Sequence, residues 1–177
     1  MARIRITGGE WRSRLIQVAD ADGLRPTPDR VRETLFNWLG QDLAGLACLD
    51  LFAGSGILGL DAASRGAAHV TVVEKDRRVF EQLRCNLEPF ACTRLEPVCG
   101  DALKFIPSPA GRYDIVFLDP PYHQGWLDKV APLLEGWTTP SARLYAEAEH
   151  RLERLGAWQV AKQGQAGQVF YHLLERA

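Results

Sequence analysis

Two short segments carry residues whose types and spacing could do chemistry. The first, Asp50-Leu51-Phe52-Ala53-Gly54-Ser55-Gly56, follows an apolar run and opens a helical one, and Gly59 completes a G-x-G-x-x-G spacing with Glu74 twenty residues beyond Gly54. Glycines so spaced make a tight turn where a ligand can approach the backbone at a helix start, the usual ligand edge of an open α/β sheet. The second, Asp119-Pro120-Pro121-Tyr122, ends the strand-like run Tyr113 to Leu118. Its prolines supply no backbone donor and fix the chain direction, which leaves the Asp119 carboxylate and the Pro120 carbonyl as rigid acceptors. Such acceptors suit the exocyclic amine of a base, whose lone pair is delocalised into the ring. Hydrogen bonds from its N–H groups favour a nucleophilic geometry, and Tyr122 can stack on a flipped base.

The glycines alone do not separate a nicotinamide dinucleotide from S-adenosylmethionine. Asp50 does, because a carboxylate at the strand end repels a pyrophosphate but attracts an ammonium and a sulfonium. Glu74 then suits two ribose hydroxyls, and Asp101, in Cys99-Gly100-Asp101-Ala102, is placed to accept from an adenine amino group. Any one of these acids would more often cap a helix, and a lone Pro-Pro pair would more often stiffen a turn. Three acids at three successive strand ends beside a glycine loop make the stronger pattern. The cofactor set is Asp50, Phe52, Ala53, Gly54, Ser55, Gly56, Glu74, Lys75, Asp101 and Ala102, and the catalytic set is Asp119, Pro120, Pro121 and Tyr122.

The elements that must hold these groups follow from periodicity. Ile4, Ile6, Leu15, Ile16 and Val18 alternate around Gly8-Gly9, which predicts a hairpin over 2–19. Val31, Leu35, Phe36 and Leu39 have helical spacing, with Thr27 or Asp29 available as a cap. From Leu46 onward, short apolar runs (Ala47 to Phe52, Val70 to Val73, Ile115 to Leu118) alternate with amphipathic ones (Ile57 to Arg65, Val79 to Leu87, Leu127 to Leu134). That alternation predicts an α/β fold, a mostly parallel sheet wound with helices on both faces. Leu144 to Ala148, Trp158 to Ala161 and Val169 to Leu174 lie close together around Gly164 and Gly167, which predicts a final antiparallel pair. The expectation is one domain over 1–177, with residues 1–19 as an appended hairpin and 46–177 as the catalytic core.

A formal net charge of -1 argues against a protein that coats nucleic acid non-specifically, yet the N-terminal end is locally positive through Arg3, Arg5, Arg12 and Arg14. Arginine dominates the basic residues throughout, so compositional habit is an alternative source of that cluster. Cys48, Cys85, Cys92 and Cys99 form no C-x-x-C pair, and His69, His123, His150 and His172 are scattered, so reduced thiols and no metal are expected. With no leader-like or membrane-spanning apolar run, a cytoplasmic location is expected.

With both motifs in hand, the chain resembles the Rossmann-like class I methyltransferases. It is more narrowly similar to the bacterial 16S ribosomal RNA guanine-N2 methyltransferases of the RsmD type. The narrower likeness rests on Ile6-Thr7-Gly8-Gly9-Glu10-Trp11-Arg12-Ser13-Arg14 and on Leu24-Arg25-Pro26-Thr27-Pro28-Asp29-Arg30-Val31-Arg32-Glu33-Thr34-Leu35-Phe36-Asn37. It continues through Asp50 to Gly59, Ser64-Arg65-Gly66-Ala67 and Phe117 to Tyr122. The resemblance covers nearly the whole chain, with the C-terminal third departing most from the family pattern. It implies a seven-stranded sheet, S-adenosylmethionine as cofactor, and 16S rRNA, within the small ribosomal subunit, as partner. RNA contact is expected from Arg3, Arg5, Arg12, Arg14, Arg25, Thr27, Arg30 and Arg32, although the last four could instead serve the cofactor or helix packing. Asp-Pro-Pro-Tyr is shared with DNA adenine and cytosine amino-methyltransferases, which makes those one rival reading. A non-catalytic RNA-binding assembly module is another, and a nicotinamide enzyme a third.

Overall fold

The computed structural model describes residues 2–21, 25–107 and 111–177. β1 (Ala2–Arg5) and β2 (Leu15–Val18) pair antiparallel as a separate two-stranded sheet, Ile4 opposite Ile16. The alternation turns Ile4, Ile16 and Val18 into the core and leaves Arg3, Arg5 and Gln17 exposed. The remaining elements run α1 (Asp29–Leu39), β3 (Ala47–Asp50), α2 (Ile57–Ser64), β4 (His69–Glu74), α3 (Arg77–Leu87), β5 (Leu95–Cys99), β6 (Tyr113–Leu118), α4 (Trp126–Trp137), β7 (Thr138–Ala148), β8 (Arg154–Leu155), β9 (Trp158–Ala166) and β10 (Val169–Arg176).

The main sheet has the order β5-β4-β3-β6-β7-β10-β9-β8. β5, β4, β3, β6 and β7 are mutually parallel, and β10 is antiparallel to both β7 and β9. The sheet therefore has eight strands where seven were expected. The extra one is the two-residue β8, which folds back on β9 through a turn at Gly156, whose φ of 58° suits glycine. The strand order departs in both directions from β3, with β4 on one side and β6 on the other, which makes the β3 carboxyl end a switch point.

Two apolar layers sandwich the sheet. On one face α1, α2, α3 and the hairpin contribute Leu35, Phe36, Leu60, Leu83 and Ile6, and on the other α4 contributes Val130 and Leu134 beside Trp158. No helix among the described residues is long and apolar enough to cross a membrane.

Buried ions lock the hairpin to the core. The α2 carboxylate of Asp61 accepts from the Thr7 amide at 2.8 Å, from Arg32 Nη1 at 2.5 Å and from Arg65 Nη1 at 2.8 Å. Arg32 also donates to the carbonyls of Thr27 and Arg5 and to Asp29. The hairpin turn sits on the end of α2, where Ser64 Oγ donates to the Gly8 carbonyl at 2.6 Å and accepts from the Trp11 amide at 2.9 Å. Gly9 has φ 77°, and a Cβ there would strike the Ser64 carbonyl, so this contact requires glycine. The expected cap of α1 is not formed. Pro28 occupies the cap position without a side-chain bond, because Thr27 and Asp29 are drawn to Glu147 and to Arg5 and Arg32.

Candidate active site

The ends of β3, β4 and β6 meet at the sheet's carboxyl edge, and the glycine loop turns there into α2. Gly54 and Gly56 have φ values of 55° and 87°, and Gly56 is the first residue outside the helix. A Cβ on Gly56 would strike Leu83, and one on Gly59 would strike Val72, so these glycines also let α2 pack on α3 and β4. The loop is pinned by the Ala53 amide donating to the Val73 carbonyl at 2.8 Å.

Asp50 is 1% exposed, and neither carboxyl oxygen has a hydrogen-bond partner at good geometry. Burial and the neighbouring Glu74 push its pKa up to about 7, and the nearby Gly59 and Phe52 amides offset part of that rise. Glu74 faces the loop, its Oε2 accepting from the Gly54 amide at 2.9 Å and its Oε1 from the Asp76 amide at 3.0 Å. Asp101 caps its own turn by accepting from the Leu103 amide at 2.8 Å, and its other oxygen lies 3.7 Å from Lys75 Nζ. A cavity of about 250 Å³ beside it is lined by Val73, Val98, Gly100, Asp101, Phe105 and Tyr113. Thus Asp50, the loop of Phe52, Ala53, Gly54, Ser55 and Gly56, Glu74, Lys75, Asp101 and Ala102 gather around the ends of β3, β4 and β5. Trp126 was not anticipated. Its ring packs edge-on to Phe52 with centroids 5.7 Å apart, and Lys75 Nζ lies 5.5 Å from its centroid.

One strand further on, Asp119 follows β6, with Pro120 buried and Tyr122 half-buried after it. Asp119 has company that local motif reading missed. Thr27 Oγ1 donates to Glu147 Oε1 at 2.8 Å and lies 3.4 Å from Asp119 Oδ2, while the Tyr145 hydroxyl donates to Glu147 Oε1 at 2.6 Å. Burial, the Glu147 charge and Asp50 raise the Asp119 pKa well above the ordinary carboxylate range. Burial and the Glu147 charge hold the Tyr145 and Tyr122 hydroxyls protonated as well. The sequence signal for this pair was available, since Tyr145 and Glu147 alternate with alanines on a strand and so share a face.

The expected RNA-binding residues divide. Arg3, Arg5, Arg12, Arg14, Arg25 and Arg30 are exposed, and Arg14 lies over the Phe90 ring at 4.0 Å. Arg25 is close enough to Tyr122 to favour its ionised form. Thr27 and Arg32 are corrected, because at 3% and 0% exposure they are spent on Glu147 and on Asp61, with no surface left for RNA. Among the described residues no cluster of three or more His, Cys, Asp or Glu is arranged to hold a metal.

Known proteins share this architecture. The chain is 45% identical to Ribosomal RNA small subunit methyltransferase D of Escherichia coli, over 98% of this chain and 90% of the relative. It is 40% identical to the protein of the same name from Haemophilus influenzae, over 97% and 93%. The solved structure of E. coli YhhF superposes with a TM-score of 0.87 at 44% identity, covering 99% of this chain and 98% of the other. At the level of fold alone, an RNA methyltransferase from Salinibacter ruber, solved with S-adenosyl-L-homocysteine, matches with a TM-score of 0.68 at 18% identity over 84% and 92%. Residues 4–175 also match the family described as Conserved hypothetical protein 95. Matched by the family model over residues 4–175 and by these relatives over nearly its whole length, this chain belongs to that family, as a close relative of the small-subunit methyltransferase D proteins.

Proposed function

We propose that this protein methylates the exocyclic N2 of a guanine in small-subunit (16S) ribosomal RNA, using S-adenosylmethionine, in the cytoplasm where the subunits are built. One observation carries the reading. Asp50 buries a carboxylate without a partner at a glycine loop, and the Asp119-Pro120 acceptors stand one strand away. A buried carboxylate with no well-formed hydrogen bond is a site completed by a cation. A cofactor bearing an ammonium and a sulfonium fits that demand, and a pyrophosphate does not. The names of the relatives support ribosomal RNA as the substrate class.

When bound, S-adenosylmethionine supplies an electrophilic methyl group whose bonding electrons return to sulfur on transfer. Asp50 would hold the cationic end, Gly54 and Gly56 would let it approach the backbone, and Glu74 would accept from ribose hydroxyls. Asp101 and Ala102 would border the adenine, with Phe52, Lys75 and Trp126 closing the side. Asp119 and Pro120 would accept the two N–H groups of the guanine amine, and Tyr122 would stack on the base. Positioning supplies much of the acceleration for such a transfer. Arg3, Arg5, Arg12 and Arg14 would meet phosphates, with Arg25 and Arg30 alongside.

The test is transfer of labelled methyl to small ribosomal subunits and, separately, to duplex DNA, followed by nucleoside analysis. N2-methylguanosine from the subunits is expected. Label confined to DNA would make the protein a DNA amino-methyltransferase, and absence of label with RNA binding retained would make it a binding module.

A further inference from the structure

Glu147 is 5% exposed and stands beside the catalytic motif because of strand register. β6 and β7 are parallel with Leu118 opposite Ala146, so the next residues, Asp119 and Glu147, fall side by side at the carboxyl edge. The Thr27 hydroxyl spans the two carboxyls, and the Tyr145 hydroxyl donates to Glu147 Oε1 as well. Neither Asp119 nor Glu147 joins an ion pair among the described residues. Asp50 from β3 acts on Asp119 directly; Tyr145 on β7, with Tyr171 from β10 near it, and Tyr122, with Arg25, Glu149 and the His123 paired to Glu149 around it, complete the charged and titratable surroundings. Asp50 is the independent sign that this edge awaits a cationic ligand, being buried and without a partner.

We infer that Glu147 is a positioning residue that shares one proton with Asp119, and that this proton aims Asp119 and sets the upper pH limit of the reaction. Two buried carboxyls bridged by one hydroxyl resist ionising together, and Asp119, raised by burial and by the neighbouring charge, keeps the proton. Two hydroxyls donate to Glu147, which makes it the better home for the negative charge. The proton therefore sits on the Asp119 oxygen facing Glu147, and burial together with the Glu147 charge raises Asp119 in the same sense. The other Asp119 oxygen is left as a fixed acceptor for the amine.

The pair also gives the departing proton a route. As the amine nitrogen gains its bond to carbon it must shed one N–H proton. The outward Asp119 oxygen takes it while the inward Asp119 proton passes to Glu147, so one O–H bond forms on each carboxyl, one N–H and one O–H bond break, and the pair then returns a proton to solvent. Above the pH at which the shared proton is lost, two adjacent anions repel and the acceptor loses its aim.

This inference rests on the amine-methylating reading, so the experiment begins with wild-type protein on small subunits and nucleoside analysis; a product other than N2-methylguanosine defeats that reading. With the product established, Glu147→Gln is compared over pH. Glutamine keeps the shape and can donate to Asp119 but cannot titrate. The expected result is a kcat lower by about 10- to 100-fold, KM for RNA within about twofold, and an alkaline limb that disappears or moves by about a unit or more. Infrared difference spectra of wild type minus Glu147→Gln give a reading free of turnover: with the Asp50 contribution common to both cancelling, a protonated-carboxyl C=O band belonging to Asp119 remains at neutral pH. Tyr145→Phe removes one donor to Glu147 and is expected to shift the limb without abolishing it. Superimposable pH profiles for wild type and Glu147→Gln, or no carboxylic-acid band in the difference spectrum, would overturn the inference.

Discussion

The junction between the hairpin and α2 buries Asp61, Arg32 and Arg65, with Asp29 as the second carboxylate for the two guanidinium groups, whereas the sheet edge buries Asp50 and Glu147 beside a half-buried Asp119 with acids facing acids. Both arrangements take charge out of water, which costs several kcal/mol per ion unless it is compensated. At the junction the compensation is internal, two guanidinium groups and the Thr7 amide around one carboxylate. At the sheet edge the protein supplies only part of it, through the Thr27 and Tyr145 hydroxyls and the amides near Asp50, and protons or a cationic ligand supply the rest. Matched burial fixes where the hairpin sits, and unmatched burial marks where a ligand belongs.

The comparison breaks most visibly at its acidic end. Asp119→Ala is expected to lower methyl transfer by about 10²- to 10⁴-fold while RNA binding and the melting temperature stay near wild type, checked by single-turnover transfer and filter binding. Loss of folding instead would make Asp119 another structural ion. At the matched end, Asp61→Ala leaves two buried guanidinium groups without their carboxylate. A destabilisation of about 3–5 kcal/mol by denaturant unfolding is expected, with the hairpin exchanging amide hydrogens sooner than the core.

The two ends should also differ in pH response. Asp50 ionises near pH 7 in the folded chain and near 3.8 when exposed, so the unfolded state sheds its proton first. Stability should therefore be highest below about pH 4 as far as this group is concerned, and decline by a few kcal/mol as pH rises to about 7, with Asp119 adding in the same direction. Asp50→Asn should flatten this slope and weaken S-adenosylmethionine binding by about tenfold or more, read by thermal melts over pH and by calorimetry. An unchanged slope would assign the effect to other groups. The smallest effect belongs to the exposed arginines. Arg3→Ala or Arg12→Ala is expected to change stability by less than about 0.5 kcal/mol and to lower the salt slope of RNA binding by about one.

The glycine loop, the Asp-Pro-Pro-Tyr turn and most of the fold were readable from local pattern. A glycine loop, a Pro-Pro turn and apolar runs of strand length are properties of a few consecutive residues, because backbone conformation and burial periodicity are set over that range. The hairpin, the α/β alternation and the antiparallel end followed from the same short-range constraints, whereas β8 was too short to carry a period. Side-chain partnerships across long separations were not readable. Thr27 looked like a cap or an RNA contact until folding brought it 2.8 Å from Glu147, 120 residues away. For Arg32 the sequence leaves RNA, cofactor and helix packing open, and only the packing of α1 on α2, which buries it against Asp61, decides among them. Strand order put Glu147 beside Asp119, and since that order is fixed by packing and connection, a carboxyl pair of this kind exists only once the sheet has formed.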